Sequence, residues 1–263
     1  MKIIVLLKRV PDTEAKILIN SEGSGINKEG VKFIINTYDE YAIEEGLQLK
    51  EKIGGESTVT VVCMGPEEST EIIRTALAMG ADRAVHICDP ALEKPTPDVT
   101  SSVLAAAIKE NGFDIIFCGK QGIDYDMAQT QAFLAEKLDI PQVNVISEFE
   151  ISEDNKKAFL TRSIEGADEK VEASLPVIIS CAKGLNEPRY ASLPGIMKAK
   201  KKEIRKVTLE DLDLSDMSLE NKSTIVKWLS QPKSGECKFI EGEEASEKAA
   251  ELARVLREEA KVL

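Results

Sequence analysis

Four strand-length stretches in the N-terminal half are almost wholly apolar: 2–8 (KIIVLLK), 58–64 (TVTVVCM), 84–88 (AVHIC) and 114–119 (DIIFCG). A strand with one wet face alternates apolar and polar residues, so a continuous apolar run must be covered on both faces. The covering pieces lie between the runs. Residues 39–53 place Tyr41, Ala42, Ile43, Leu47 and Leu49 at helical spacing, with Asp39 as a candidate N-cap. Residues 69–79 read as a helix from Ser69 to a stop at Gly80, and 98–110 and 127–138 as two more. Strands separated by helices predict an α/β fold: a doubly wound, mostly parallel sheet with helices on both faces. A ligand then belongs at the carboxyl ends of the strands.

After Pro141 the pattern changes. VNVISEFEI, KAFLTRSI, KVEASL and PVIISCA are short β runs, with turn residues at Glu153, Asp154 and Asn155 and at Glu165 and Gly166. They predict a β-rich, mostly antiparallel extension of the same domain. Regular signals fade from about 185. Residues 207–243 read as an extended arm with one short helix near 225–229, and 245–263 as an amphipathic helix.

A formal net charge of −12 makes a generic nucleic-acid role untenable, since phosphate binding needs a basic footprint. The apolar N-terminal run is too short for a signal peptide or membrane span, and no other stretch reaches about 18 apolar residues. A cytoplasmic protein is expected. Three of the five cysteines, Cys63, Cys118 and Cys181, lie in apolar runs and read as buried free thiols; the count is odd. His86 is the sole histidine and lies in a strand, which excludes multi-histidine metal sites and points to no metal.

Neither Gly-x-Gly-x-x-Gly after the first strand nor a P-loop is present. The candidate ligand loop is instead Gly119, Lys120, Gln121, Gly122, Ile123, Asp124, Tyr125, Asp126, Met127, Ala128, Gln129 and Thr130, between a buried strand and a helix. Gly119 and Gly122 allow close backbone approach, Lys120 offsets phosphate charge, and Gln121, Gln129 and Thr130 offer neutral hydrogen bonds. Ligand binding and an ordinary strand–helix turn are equally compatible with these residues alone.

This loop, with LKRVPDTEAKI near the N-terminus, RTALAMGADRA at 74–84 and LNEPRYASLPGIMKAKKK at 185–202, resembles the electron-transfer flavoprotein β (small) subunits. Together the four motifs span residues 1 to about 206. The resemblance implies an αβ heterodimer with an electron-transfer flavoprotein α subunit. It implies an electron carrier rather than an enzyme, with a redox-active FAD at the interface. It also implies an adenine nucleotide held by this chain: AMP in the housekeeping branch, a second FAD in the electron-bifurcating branch, where NADH is oxidised. Carried over by motif, the nucleotide residues are Leu6, Asn36, Thr37, Tyr38, Asp39, Met64 and the Gly119 to Thr130 loop. Val10, Pro11, Asp12 and Thr13 lie near the flavin. Thr13 stands where housekeeping members tend to have an aromatic residue, whereas LNEPRY with MKAKKK resembles that branch, and the balance favours AMP.

The 185–202 segment resembles the family's recognition loop for acyl-CoA dehydrogenases, with Leu193 as its anchoring leucine. Proline-bounded, it presents Leu193 and Pro194 beside the basic residues Lys198, Lys200, Lys201 and Lys202. The division expected is 1–206 as the nucleotide-binding domain with that loop, and 207–263 as an arm and helix packing on the α subunit.

Overall fold

Successive side chains of the first strand, β1 (Lys2–Leu7), point to opposite faces, and both faces are buried. The chain supplies a helical layer for each. Before the second layer come the antiparallel pair β2 (Arg9–Pro11) and β3 (Phe33–Ile35), then α1 (Thr37–Ile53), β4 (Thr58–Met64), α2 (Thr70–Met79) and β5 (Arg83–Ile87). There follow α3 (Pro97–Asn111), β6 (Ile115–Gly119), α4 (Thr130–Leu138), β7 (Gln142–Ile151), β8 (Lys157–Ile164), β9 (Ala167–Ser174) and β10 (Val177–Cys181). The chain ends with α5 (Leu193–Ala199), β11 (Ile204–Val207) and α6 (Ala245–Glu258). These elements come from a computed structural model that describes residues 1–215, 217–230 and 237–263.

Nine strands form one sheet in the order β11-β5-β4-β1-β6-β10-β7-β8-β9. From β11 to β7 neighbours are parallel; β7–β8 and β8–β9 are antiparallel. Ile3, Val5 and Phe117 pack with Ile43, Leu47 and Ile73 of α1 and α2 on one face. Ile4, Leu6 and Ile116 pack with Val103, Ile108 and Leu134 of α3 and α4 on the other. The sandwich predicted from the apolar runs is therefore present. Glu165 and Gly166 do make the β8–β9 turn, where Gly166 takes a φ of +80°.

Several elements differ from the sequence reading. The run PVIISCA is not part of the antiparallel extension: β10 lies between β6 and β7 as a parallel core strand, buried along its length. Its apolar run says as much, but its place after two antiparallel strands hid it. Asp39 is not an N-cap, because α1 starts at Thr37 after Asn36. The fourth helix begins at Thr130 rather than 127, since Asp126 and Ala128 take positive φ. The pair β2–β3, the helix α5 and the edge strand β11 are too short to show a period. The short helix expected near 225–229 is absent: that stretch has no regular secondary structure. It is held by Asn221, which accepts from the Thr96 N–H and donates to the Lys94 carbonyl, and by Trp228, whose ring lies 6.0 Å from that of Tyr125. The final helix stops at Glu258 and buries none of its residues. Val207 and Leu212, in the first part of the expected arm, pack on the α3 face. The parts of that arm at 216 and 231–236 lie outside the described residues.

Candidate functional site

The strand order reverses at β1: the chain moves outward through β4 and β5, then returns to lay β6 on the other side. Sheets of this kind open a crevice at such a point, beyond the carboxyl ends of the two strands. The loops after β1 and β6 meet there, and Asp39 joins them. Its Oδ2 accepts from the Lys8 N–H (2.7 Å), and its Oδ1 from the Gly119 N–H (3.1 Å) and Asn36 Nδ2 (2.8 Å). Burial pushes the Asp39 carboxyl up to about 7, against the pull of these donors and the Lys8 charge. Asn36, also buried, donates to the Gln121 carbonyl (2.9 Å) and accepts from the Ile123 N–H (3.1 Å). The first turn of α1 therefore holds the 119–123 backbone directly.

Gly119 has its own reason to be glycine. A Cβ there would meet Asp39 Oδ1 inside contact distance, with Tyr38 Cβ at 2.7 Å and the Asp39 nitrogen at 2.9 Å. At Gly122 a Cβ would press on Asp124 Oδ1 (2.6 Å) and on Lys8 Nζ (3.0 Å). The close approaches at both glycines are to the protein's own groups. Lys8 pairs with Asp124 (2.7 Å), and Gln121 donates to Asp126 (2.7 Å), so two loop carboxylates are engaged. Lys120 Nζ stands 4.8 Å from the Tyr38 ring centre. Gln131 bonds the carbonyls of Lys120 (2.9 Å) and Ala128 (3.1 Å). Sequence reading missed Lys8 and Gln131: one is an ordinary lysine after a strand, the other a polar residue in a first helical turn, and only folding gives them their partners.

Leu6 is buried on the α3 face of β1, and Met64, half-buried, ends β4 on that face. Thr37 and Tyr38 begin α1, Gln129 is exposed, and Thr130 begins α4. Val10 and Pro11 lie on β2; Asp12 pairs with Lys32 (3.1 Å), and Thr13 is exposed beyond it. Polar atoms left without partners bear on what fits here. The N-terminus of α4 has no side-chain cap; the Ala132 and Phe133 N–H groups bond the Gln129 carbonyl, and those of Thr130 and Gln131 have no backbone partner among the described residues. Arg9 Nε on β2, Ser69 Oγ and Thr70 Oγ1 after β4, and Thr96 Oγ1 after β5 are buried without a partner among the described residues. An uncapped helix N-terminus suits a ligand bearing phosphate. Among the described residues no group of three His, Cys, Asp or Glu side chains is placed to hold a metal ion.

The 185–202 segment lies elsewhere, against the later turns of α1 and the end of α2. Leu193 opens α5 behind a Ser192 cap and is 80% exposed. Tyr190, Ile196 and Met197 are exposed beside it. Pro194, Lys198 and Lys200 are exposed too. Lys202 is not a free member of the basic run: its Nζ bonds the Leu77 and Ala81 carbonyls at the end of α2.

A family model described as "Electron transfer flavoprotein domain" matches residues 24–212. The chain is 46% identical over 264 residues to "Electron transfer flavoprotein subunit beta" of Bacillus subtilis, covering 100% of each chain. The protein of that name from Thermoanaerobacterium thermosaccharolyticum is 41% identical, covering 88% of each chain. That of Mus musculus is 41% identical over 81% of this chain and 83% of its own.

Proposed function

The chain belongs to the electron-transfer flavoprotein β-subunit family, and from that premise we propose that it is the carrier half of an αβ heterodimer. In this reading it accepts electrons from acyl-CoA dehydrogenases and passes them to a downstream acceptor. FAD, shared with the α subunit near Val10, Pro11, Asp12 and Thr13, supplies the one- and two-electron chemistry when bound. The protein's own residues do no bond chemistry. An adenine nucleotide, AMP, sits at the β1/β6 switch point, with its phosphate on the uncapped N-terminus of α4. Asp39 and Asn36 give that site its rigidity, fixing the 119–123 backbone before any ligand arrives. The observation that carries the reading is this Asp39-centred junction, which ties the loops after β1 and β6 to the start of α1.

Leu193 is the docking anchor, 80% exposed at the start of a capped helix. The part of the arm beyond Leu212, ending in a helix that has no fully buried residue, packs on the α subunit in this reading. The compartment proposed is the cytoplasm, and no helix among the described residues is long and apolar enough to cross a membrane. The test is the nucleotide released from the denatured, purified αβ complex. One FAD with one AMP supports the carrier; two FAD would replace it with the bifurcating reading, in which this subunit's flavin oxidises NADH. For docking, Leu193→Ala in the complex should slow electron transfer from an acyl-CoA dehydrogenase at limiting carrier and leave flavin content intact. Loss of a central apolar anchor costs on the order of 2 kcal/mol. A wild-type rate would refute the anchor.

A further inference from the structure

Four exposed apolar side chains, Tyr190, Leu193, Ile196 and Met197, stand on one short segment. Water does not favour that presentation, so something must hold the segment open. Two sets of polar contacts do so. On one side Arg74 of α2 donates to the carbonyls of Ala199 (2.6 Å) and Lys202 (2.5 Å). Gly195 lies so close to α2 that a Cβ would strike the Ala78 carbonyl.

On the other side Arg189 grips α1. Its Nε and Nη2 take both oxygens of Glu44 (2.8 and 2.9 Å), its Nη1 and Nη2 take Glu51 (2.5 and 3.1 Å), and its own backbone N–H donates to Glu44 (3.1 Å). Glu44 is only 3% exposed. Burial pushes its carboxyl up, but Arg189 and Gln48 more than offset this and hold it below the usual range. Asn186 adds bonds to the Tyr41 carbonyl (3.0 Å) and to Glu45 (2.8 Å). Arg189 immediately precedes Tyr190 and stands four residues before Leu193.

We propose that Arg189, forked across Glu44 and Glu51, is the positioning residue that pre-organises Tyr190 and Leu193 for partner docking. The inference rests on the docking role given to Leu193 above. Its logic is entropic: a loop already ordered on α1 does not have to be ordered during the encounter. Only a planar guanidinium can bridge two carboxylates in this way; an ammonium engages them as a point charge. The same helix grips the 119–123 loop with its first turn, so α1 gives both regions one rigid reference. The Arg74 and Gly195 contacts do not involve Arg189. Its removal should therefore loosen the approach to α5 without detaching α5 itself.

The experiment uses the αβ heterodimer with Arg189→Gln, Arg189→Lys and Glu51→Gln, and Leu193→Ala as reference. Turnover with an acyl-CoA dehydrogenase is followed against carrier concentration. Hydrogen exchange of the 189–195 amides is read without the dehydrogenase. Arg189→Gln should raise KM about tenfold with kcat within about twofold, the equivalent of re-ordering one or two side chains on binding. Arg189→Lys should recover part of that loss. Glu51→Gln, at an exposed carboxylate, should raise KM about threefold with no threat to folding. Exchange at 189–195 should quicken while the sheet amides stay protected. If Arg189→Gln leaves KM unchanged while Leu193→Ala raises it, the positioning role is wrong and the docking reading stands. If Leu193→Ala is also silent, the docking reading falls and takes this inference with it. Should Arg189→Gln fail to fold, an unchanged KM in Glu51→Gln overturns the proposal alone.

Discussion

Gly119→Ala tests the switch-point junction without replacing any charged residue. The added methyl would press on Asp39 Oδ1, on Tyr38 Cβ at 2.7 Å and on the Asp39 nitrogen at 2.9 Å. The last two are anchored to the first turn of α1 and cannot rotate away. Overpacking of this kind costs about 1–3 kcal/mol. The Gly119 N–H bond to the buried Asp39 carboxyl must also stretch, and hydrogen bonds to charged groups contribute about 1.5–3 kcal/mol. A total near 3 kcal/mol allows for partial relaxation. In a chain of this size each kcal/mol moves Tm by about 2–4 °C, so a fall of roughly 6–12 °C is expected. The assay is calorimetric unfolding of the purified αβ complex, with nucleotide content measured on the same samples. Gly25→Ala is the control: its φ is not positive and its Cβ would meet nothing closer than Asn20 Nδ2 at 4.0 Å. It should stay within about 0.5 kcal/mol of wild type. If Gly119→Ala unfolds within 2 °C of wild type, the loop and helix are not locked as described. If it unfolds early yet keeps its full nucleotide, the junction is structural and the phosphate contact lies elsewhere.

Asp39 makes stability depend on pH. Its folded value near 7 lies above its ordinary 3.8, so the contribution is complete below 3.8, falls as pH rises and is lost above 7, a change of about 4 kcal/mol. The gap in stability between wild type and Asp39→Asn should therefore change between about pH 4 and 7 and level off above 7, and a gap constant with pH would refute the buried titration. Thiol reactivity should sort by burial. Cys237 is exposed and Cys88 half-exposed, whereas burial pushes Cys63 up to about 12 and raises Cys118 and Cys181 well above the usual thiol range. A thiol reagent should find Cys237 first and the three buried thiols only after denaturation; prompt native labelling of Cys63 would contradict the packing.

Apolar runs were enough to establish the layered α/β architecture, because burial on both faces leaves its mark in the composition of each strand. The four runs from 2–8 to 114–119 lie within or overlap β1, β4, β5 and β6, and the helices between them cover both faces. The placement of the candidate loop after β6 was legible for the same reason. Pairing was not legible. Whether PVIISCA joins β9 or slips between β6 and β7 depends on contacts far apart in sequence, and only the assembled sheet decides it. Asp39 shows the same divide: its spacing suggests a cap, yet its bonds go to Lys8 and to Gly119, 80 residues away. Short elements such as α5 and β11 owe their form to tertiary partners rather than to local periodicity. Nothing local in the sequence marks Arg189; its fork on Glu44 and Glu51 exists only because the fold brings α1 beside it, where a buried carboxylate needs a charge to answer it.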